Sequence, residues 1–88
     1  MIEKTVKIIN SAGLHTRPAA TIVKIAAKYK CDFFLAKDGI CINGKSIIGV
    51  MTLAAEKGSE LQLTFDGEDE EKAAEEITDY FNRGFDEL

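Results

Sequence analysis

Along this chain the spacing of apolar residues switches between two and 3.6, and the order of those switches constrains the fold more than any single residue does. Residues 2–9 alternate: Ile2, Lys4, Val6 and Ile8 share one side, and Glu3, Thr5, Lys7 and Ile9 share the other. That pattern predicts a strand with one dominant apolar face. Asn10-Ser11-Ala12-Gly13 interrupts it. From about Thr16 the period becomes helical, with Ala19, Ile22, Val23, Ala26 and Ala27 on one stripe and Lys24 and Lys28 outside it. Pro18 falls in the first turn, where its missing N–H costs nothing. Residues 32–37 and 40–43 flank Asp38-Gly39, a hairpin signal, with Phe33 and Leu35 facing the core and Phe34 on the other face. Ser46 is the expected N-cap of a short helix through IIGVMTLA, whose Val50, Leu53 and Ala54 can face the core. Residues 56–59 read as a turn, and ELQLTFD as a strand pointing Leu61, Leu63 and Phe65 inward. A last helix is predicted from Asp69 to about Arg83, with acids at its positive end. Its core stripe is Ala73, Ile77, Tyr80 or Phe81, continuing to Phe85.

The resulting order is βαββαβα. Hairpin connections and one apolar stripe per helix favour an α+β open-faced β-sandwich: a four-stranded antiparallel sheet with three helices packed on one face. The 88 residues are expected to form a single domain, 1–88.

Composition narrows the function. Apolar runs are only a few residues long, so no membrane insertion is expected, and MIEKTVKIIN carries no charged-then-apolar leader. Cys31 and Cys41 are too few for a disulfide framework and lack metal-ligand spacing; both are read as small buried apolar residues. A cytoplasmic protein is the expectation. Residues 1–55 hold eight Lys/Arg against three acids, whereas 56–88 hold three against twelve. That balance argues against nonspecific nucleic-acid binding but leaves the basic half able to face an anion or an acidic partner.

The segment Gly13-Leu14-His15-Thr16-Arg17-Pro18-Ala19-Ala20 carries the chemistry. It puts the only histidine at the junction of a glycine-containing loop and a helix N-terminus, where unpaired N–H groups and the helix dipole suit an anion. Arg17 can bring a planar cation to the same space. A positive environment disfavours the imidazolium and leaves a ring nitrogen free as a nucleophile. Spacing alone leaves a capping or surface histidine as the alternative. Metal binding would need three or four ligands around this one histidine, so no metal or other cofactor is expected.

These residues also carry a resemblance. GLHTRPAA at 13–20 and KSIIGVMTLAAEKGSEL at 45–61 resemble the two signatures of the HPr family, the histidine-containing phosphocarriers of the bacterial phosphoenolpyruvate-dependent sugar phosphotransferase system. Length and element order agree over essentially the whole chain. The resemblance implies that His15 receives a phosphoryl group on Nδ1 from phospho-enzyme I and donates it to enzyme IIA domains of sugar permeases. It implies that Arg17 neutralises the phosphate and that Ser46 is a regulatory serine, phosphorylated by an HPr kinase/phosphorylase. SIIGVM resembles the Gram-positive-type branch, in which that serine is used.

Ile47, Ile48 and Met51 fall on a different helix face from Val50 and Leu53, more apolar surface than a two-turn helix can bury against one sheet. With Thr16, Ala20 and Lys24 they form the expected docking surface, and Lys28 and Lys45 would add positive charge for acidic partners. If both helices start at the same edge of the sheet, Ile47, Ile48 and Met51 ring His15. The expected protein is a monomeric carrier rather than an enzyme. Its rival is a regulatory binding module whose phospho-state is read by a transcriptional regulator or a metabolic enzyme, without sugar transport.

Overall fold

The structure, a computed structural model, describes residues 1–87. The elements are β1 (Ile2–Lys7), α1 (Thr16–Ala27), β2 (Asp32–Lys37), β3 (Ile40–Asn43), α2 (Ile47–Thr52), β4 (Glu60–Asp66) and α3 (Glu70–Asn82), followed by a 3₁₀ turn over Gly84–Asp86. The four strands form one antiparallel sheet in the order β1-β4-β2-β3. The helices cover one face of it, giving the open-faced α+β sandwich that the alternation of periods implies.

Period-two patterning decides which face is covered. Val6, Phe33, Leu35, Leu61, Leu63 and Phe65 point beneath the helices and are buried. Thr5 and Gln62, paired across β1 and β4, hydrogen-bond on the open face at 3.0 Å. The centre of the covered face is the cross-strand pair Phe33–Phe65, stacked with ring centroids 4.8 Å apart. From above, α1 contributes Ala19, Ile22 and Ala26, and α3 contributes Ala73, Ala74, Ile77, Tyr80 and Phe81. Both Tyr80 and Phe81 are buried, because the chain bends back after α3 and gives each ring a neighbour in Phe85. Asp38 and Gly39 both have positive φ, 50° and 83°, as a two-residue turn matched to strand twist requires.

Turns at the sheet ends are tied by specific bonds. The Asp69 carboxylate accepts from the backbone N–H of Lys30 and of Cys31, each at 2.9 Å, joining the start of α3 to the start of β2. The Lys30 bond is the main reason its carboxyl lies below the usual range. Burial pushes the Cys31 thiol up. Tyr29 and Lys28 both bond Glu76 on α3, and the Tyr29 hydroxyl is pushed up to about 12, chiefly by that hydrogen bond.

Four local expectations are corrected. The first strand ends at Lys7 rather than residue 9, although Ile8 continues irregular pairing with Ser59 and Gly58. Ala54 is exposed and Ala55 is buried instead, because α2 stops at Thr52, two residues early, and Ala54 takes φ 48° and turns the chain out of the helix. Cys41 is exposed, since β3 is an edge strand and Cys41 lies opposite Ala36 on the open face. In α1, Ala27 is exposed and Val23 only half-buried, because the sheet and α3 cover a narrower stripe than the periodicity allows.

Gly44 shows how tightly the hairpin closes over the core. Its N–H donates to Phe33 O at 2.7 Å, and a Cβ there would lie 2.1 Å from the Phe33 ring and 2.8 Å from Leu35. Gly44→Ala is expected to destabilise the protein by about 1–3 kcal/mol through overpacking, read as a lower urea midpoint with an unchanged slope.

Candidate functional site

His15 occupies the N-cap of α1 with extended backbone, φ −88° and ψ −174°, and its ring makes no capping bond. The carbonyl of His15 accepts from Ala19, the first helical bond, while the imidazole stays half-exposed at 39 %. Thr16 and Arg17 in the first turn have N–H groups that α1 cannot satisfy, and Pro18 has none. No acid stands in that turn. The capping alternative for His15 therefore fails, and the ring and the orphan donors open onto the same exposed end of the helix.

The loop before α1 is held firmly. Gly13 has φ +70°, and a Cβ on it would come within 2.6 Å of Ala55 O, so the close approach of these two loops demands glycine. The next residue, Leu14, is buried and donates its N–H to that carbonyl at 2.8 Å. Asn10, 1 % exposed, donates to Gly13 O at 2.8 Å. These contacts fix the backbone on which His15 rides.

The same bonds set the direction of α2. Its C-terminal end meets the start of α1 through Leu14 and Ala55, while Lys45, before its start, donates from Nζ to Tyr29 O at the end of α1. The helices therefore run in opposite directions and do not start at the same edge. The cause is the hairpin, which returns the chain at Gly44 to Phe33, close to where α1 ended. Ile47, Ile48 and Met51 belong to α2, which packs against α1 running the other way, so the condition for a ring about His15 is not met. They are 38 %, 78 % and 43 % exposed. Thr16 and Lys24 on α1 are exposed and Ala20 is half-buried. Lys28 is paired with Glu76, which offsets the positive charge expected of it, while Lys45 keeps its charge with Nζ donating to Tyr29 O.

Ser46 caps α2. Its backbone is extended and its Oγ accepts from Gly49 N–H at 3.2 Å, leaving the residue exposed. Arg17 is exposed and lines a groove of about 370 Å³ with Thr21, Tyr80, Phe85, Asp86 and Glu87. Glu87 was not singled out by sequence reading, yet its Oε2 lies 2.7 Å from His15 Nε2. The available signal was Gly84 just past the last helix, a marker of chain reversal that sends the tail back over the body. Among the described residues, no three His, Cys, Asp or Glu side chains cluster as a metal site, and no helix is long and apolar enough to cross a membrane.

A family model described as PTS HPr component phosphorylation site matches residues 2–83. The chain belongs to the HPr family, the phosphocarriers of the phosphotransferase system. It is similar to the phosphocarrier protein HPr of Treponema pallidum (strain Nichols), 46 % identical over 87 residues that cover 99 % of each chain. It is also similar to the HPr-like protein Crh of Bacillus subtilis (strain 168), 42 % identical over 80 residues, 91 % of this chain and 94 % of the relative. Among solved structures, a crystal structure of HPr-C-His from Thermoanaerobacter tengcongensis superposes with TM-score 0.95 at 39 % identity, covering 100 % of this chain and 99 % of that one. The backbone that carries His15, Arg17 and Ser46 is therefore an HPr backbone.

Ser46→Ala removes the cap of a six-residue helix. It is expected to lower stability by about 0.5–2 kcal/mol, measured by denaturant unfolding, with α2 amides losing hydrogen-exchange protection before the sheet does.

Proposed function

We propose that this protein accepts a phosphoryl group on His15 from phospho-enzyme I, originating in phosphoenolpyruvate, and passes it to enzyme IIA components of sugar permeases. The observation that carries the reading is the uncapped, half-exposed His15 ring at the start of α1, beside unpaired first-turn N–H groups and Arg17, in a chain of the HPr family. Transfer is an in-line displacement between imidazole nitrogens. The donor's P–N bond breaks as a bond to His15 Nδ1 forms, and the helix end and the Arg17 guanidinium take up the phosphate charge. Partners supply the chemistry of phosphoenolpyruvate and the choice of sugar. The protein is a carrier acting as a monomer in the cytoplasm, with no cofactor of its own.

Docking uses Thr16, Ala20, Lys24, Ile47, Ile48 and Met51, a patch of exposed apolar side chains flanked by positive charge. Ser46 stands at one end of that patch as a phosphorylation site for an HPr kinase/phosphorylase. A phosphate there adds roughly two negative charges next to the helix N-terminus, leaving the fold intact while opposing an acidic partner. Since α2 runs opposite to α1, its effect on His15 passes through docking rather than through contact. The similarity to Crh supports a second reading, in which the phospho-state of the same residues signals to a transcriptional regulator or a metabolic enzyme.

Incubation with enzyme I and radiolabelled phosphoenolpyruvate is expected to give an acid-labile, alkali-stable label that is absent from His15→Ala. A folded wild type that takes no label from an active donor would move the assignment to the regulatory reading. Ser46→Asp is expected to slow His15 phosphorylation about ten-fold at low salt and less at high salt, as screening predicts. Equal rates at low salt would remove the electrostatic account of Ser46.

A further inference from the structure

The site contains a carboxylate that phosphoryl acceptance by His15 does not by itself require. Glu87 Oε2 lies 2.7 Å from His15 Nε2, and Glu87 Oε1 accepts from Asn10 Nδ2 at 2.8 Å. Because Asn10 is buried and also bonded to Gly13 O, the carboxylate is held through Oε1 from the rigid side of the site, with Oε2 turned to the ring. The backbone leading to Glu87 is constrained as well. Gly84, Phe85 and Asp86 have φ of 63°, 58° and 60° in succession. For the two non-glycine residues that conformation costs about 1–2 kcal/mol each. It is sustained by the Phe85 ring, 5.2 Å from Tyr80 and 5.0 Å from Phe81, and by Arg83 Nε donating to Asp86 at 2.7 Å. Strain kept at such a place marks a position the fold over-determines.

A carboxylate has no proton to donate, so the 2.7 Å contact is made by an Nε2–H. In a neutral imidazole that leaves the lone pair on Nδ1. We propose that Glu87 is a positioning residue that sets the His15 tautomer: it holds the proton on Nε2, closes that nitrogen to phosphorylation and leaves Nδ1 as the nucleophile. This rests on the carrier reading of His15 and extends the site to a residue 72 positions away in the chain. When Nδ1 attacks, the new Nδ1–P bond replaces the donor's P–N bond, Nε2 keeps its proton, and the ring gains a positive charge that Glu87 faces directly. On onward transfer the Nδ1–P bond breaks, the electron pair leaves with the ring nitrogen, and the ring is neutral again with its proton unmoved. The phosphoryl group sits on the other ring nitrogen, farther from the carboxylate than the ring itself. The larger charge of the phosphate is met on that side by the Arg17 guanidinium and the helix end, not by Glu87.

Glu87→Gln is the sharpest test. Its oxygen can still accept from Asn10, but its amide then donates to His15 Nε2, which must carry the lone pair, so the proton moves to Nδ1. Ring ¹⁵N shifts of His15, measured above the imidazole titration without any phosphate donor, report the tautomer directly. The expected result is an Nε2–H ring in the wild type, a mixture in Glu87→Ala and a predominantly Nδ1–H ring in Glu87→Gln. With enzyme I and phosphoenolpyruvate, His15 phosphorylation is expected to fall about ten-fold in Glu87→Gln and less in Glu87→Ala, amide spectra confirming the fold. Identical tautomer populations in the three proteins, or an Nδ1–H ring in the wild type, would overturn the proposal. A wild type that takes no label from an active donor would instead overturn the carrier reading, while the ring shifts still decide what Glu87 does to the tautomer.

Discussion

Burial of one face of a four-stranded sheet is the interaction on which the rest of this structure depends. Phe33, Phe65, Leu35, Leu61 and Leu63 are at most 1 % exposed, and a single sheet cannot hide such side chains without a second layer. Each fully buried side chain of this kind contributes about 1.5–3 kcal/mol. The helices are therefore held over the sheet, and their ends fall where the connecting turns leave its edges. His15 stands where it does because β1 ends at Lys7 and the chain must rise from the sheet before α1 can lie across it. The site is a by-product of the way the core is covered.

The loop between β1 and α1 does more than connect them. Gly13, Leu14 and Asn10 fasten it to Ala55 and to the chain's tail, so three segments far apart in sequence converge on one backbone turn. Such convergence gives a phosphocarrier what it needs. In the proposed carrier cycle the ring is open to two different partners in turn, while the backbone beneath it stays the same for both. An imidazole on a free loop would lose orientation with every encounter, and effective molarity with it. In the same reading the exposed apolar side chains of α2, Ile47, Ile48 and Met51, offer the docking surface.

Much of this was legible in residue patterns. The alternation in ELQLTFD, the stripe through Ile22 and Ala26, the Asp38-Gly39 turn and the Ser46 cap all depend on neighbours a few positions away, and the structure has each of them. The exceptions follow from the same reasoning. Cys41 has a strand pattern around it that would suit either face, and its register opposite Ala36, on the open face of an edge strand, leaves it exposed. Ala54 and Ala55 are chemically identical, and a single positive φ decides which of them is buried.

What the sequence by itself determined, then, was the order of the elements, the apolar side of each, and a lone histidine with an arginine at the start of a helix. Those properties are written in periods of two and 3.6, over distances shorter than one element. Tertiary structure decided the strand order β1-β4-β2-β3, the opposed directions of α1 and α2, and the meeting of Glu87 with His15. Each of these depends on where a hairpin or a reversed tail returns the chain. That return is settled by which apolar faces can be covered together, and no local pattern records it.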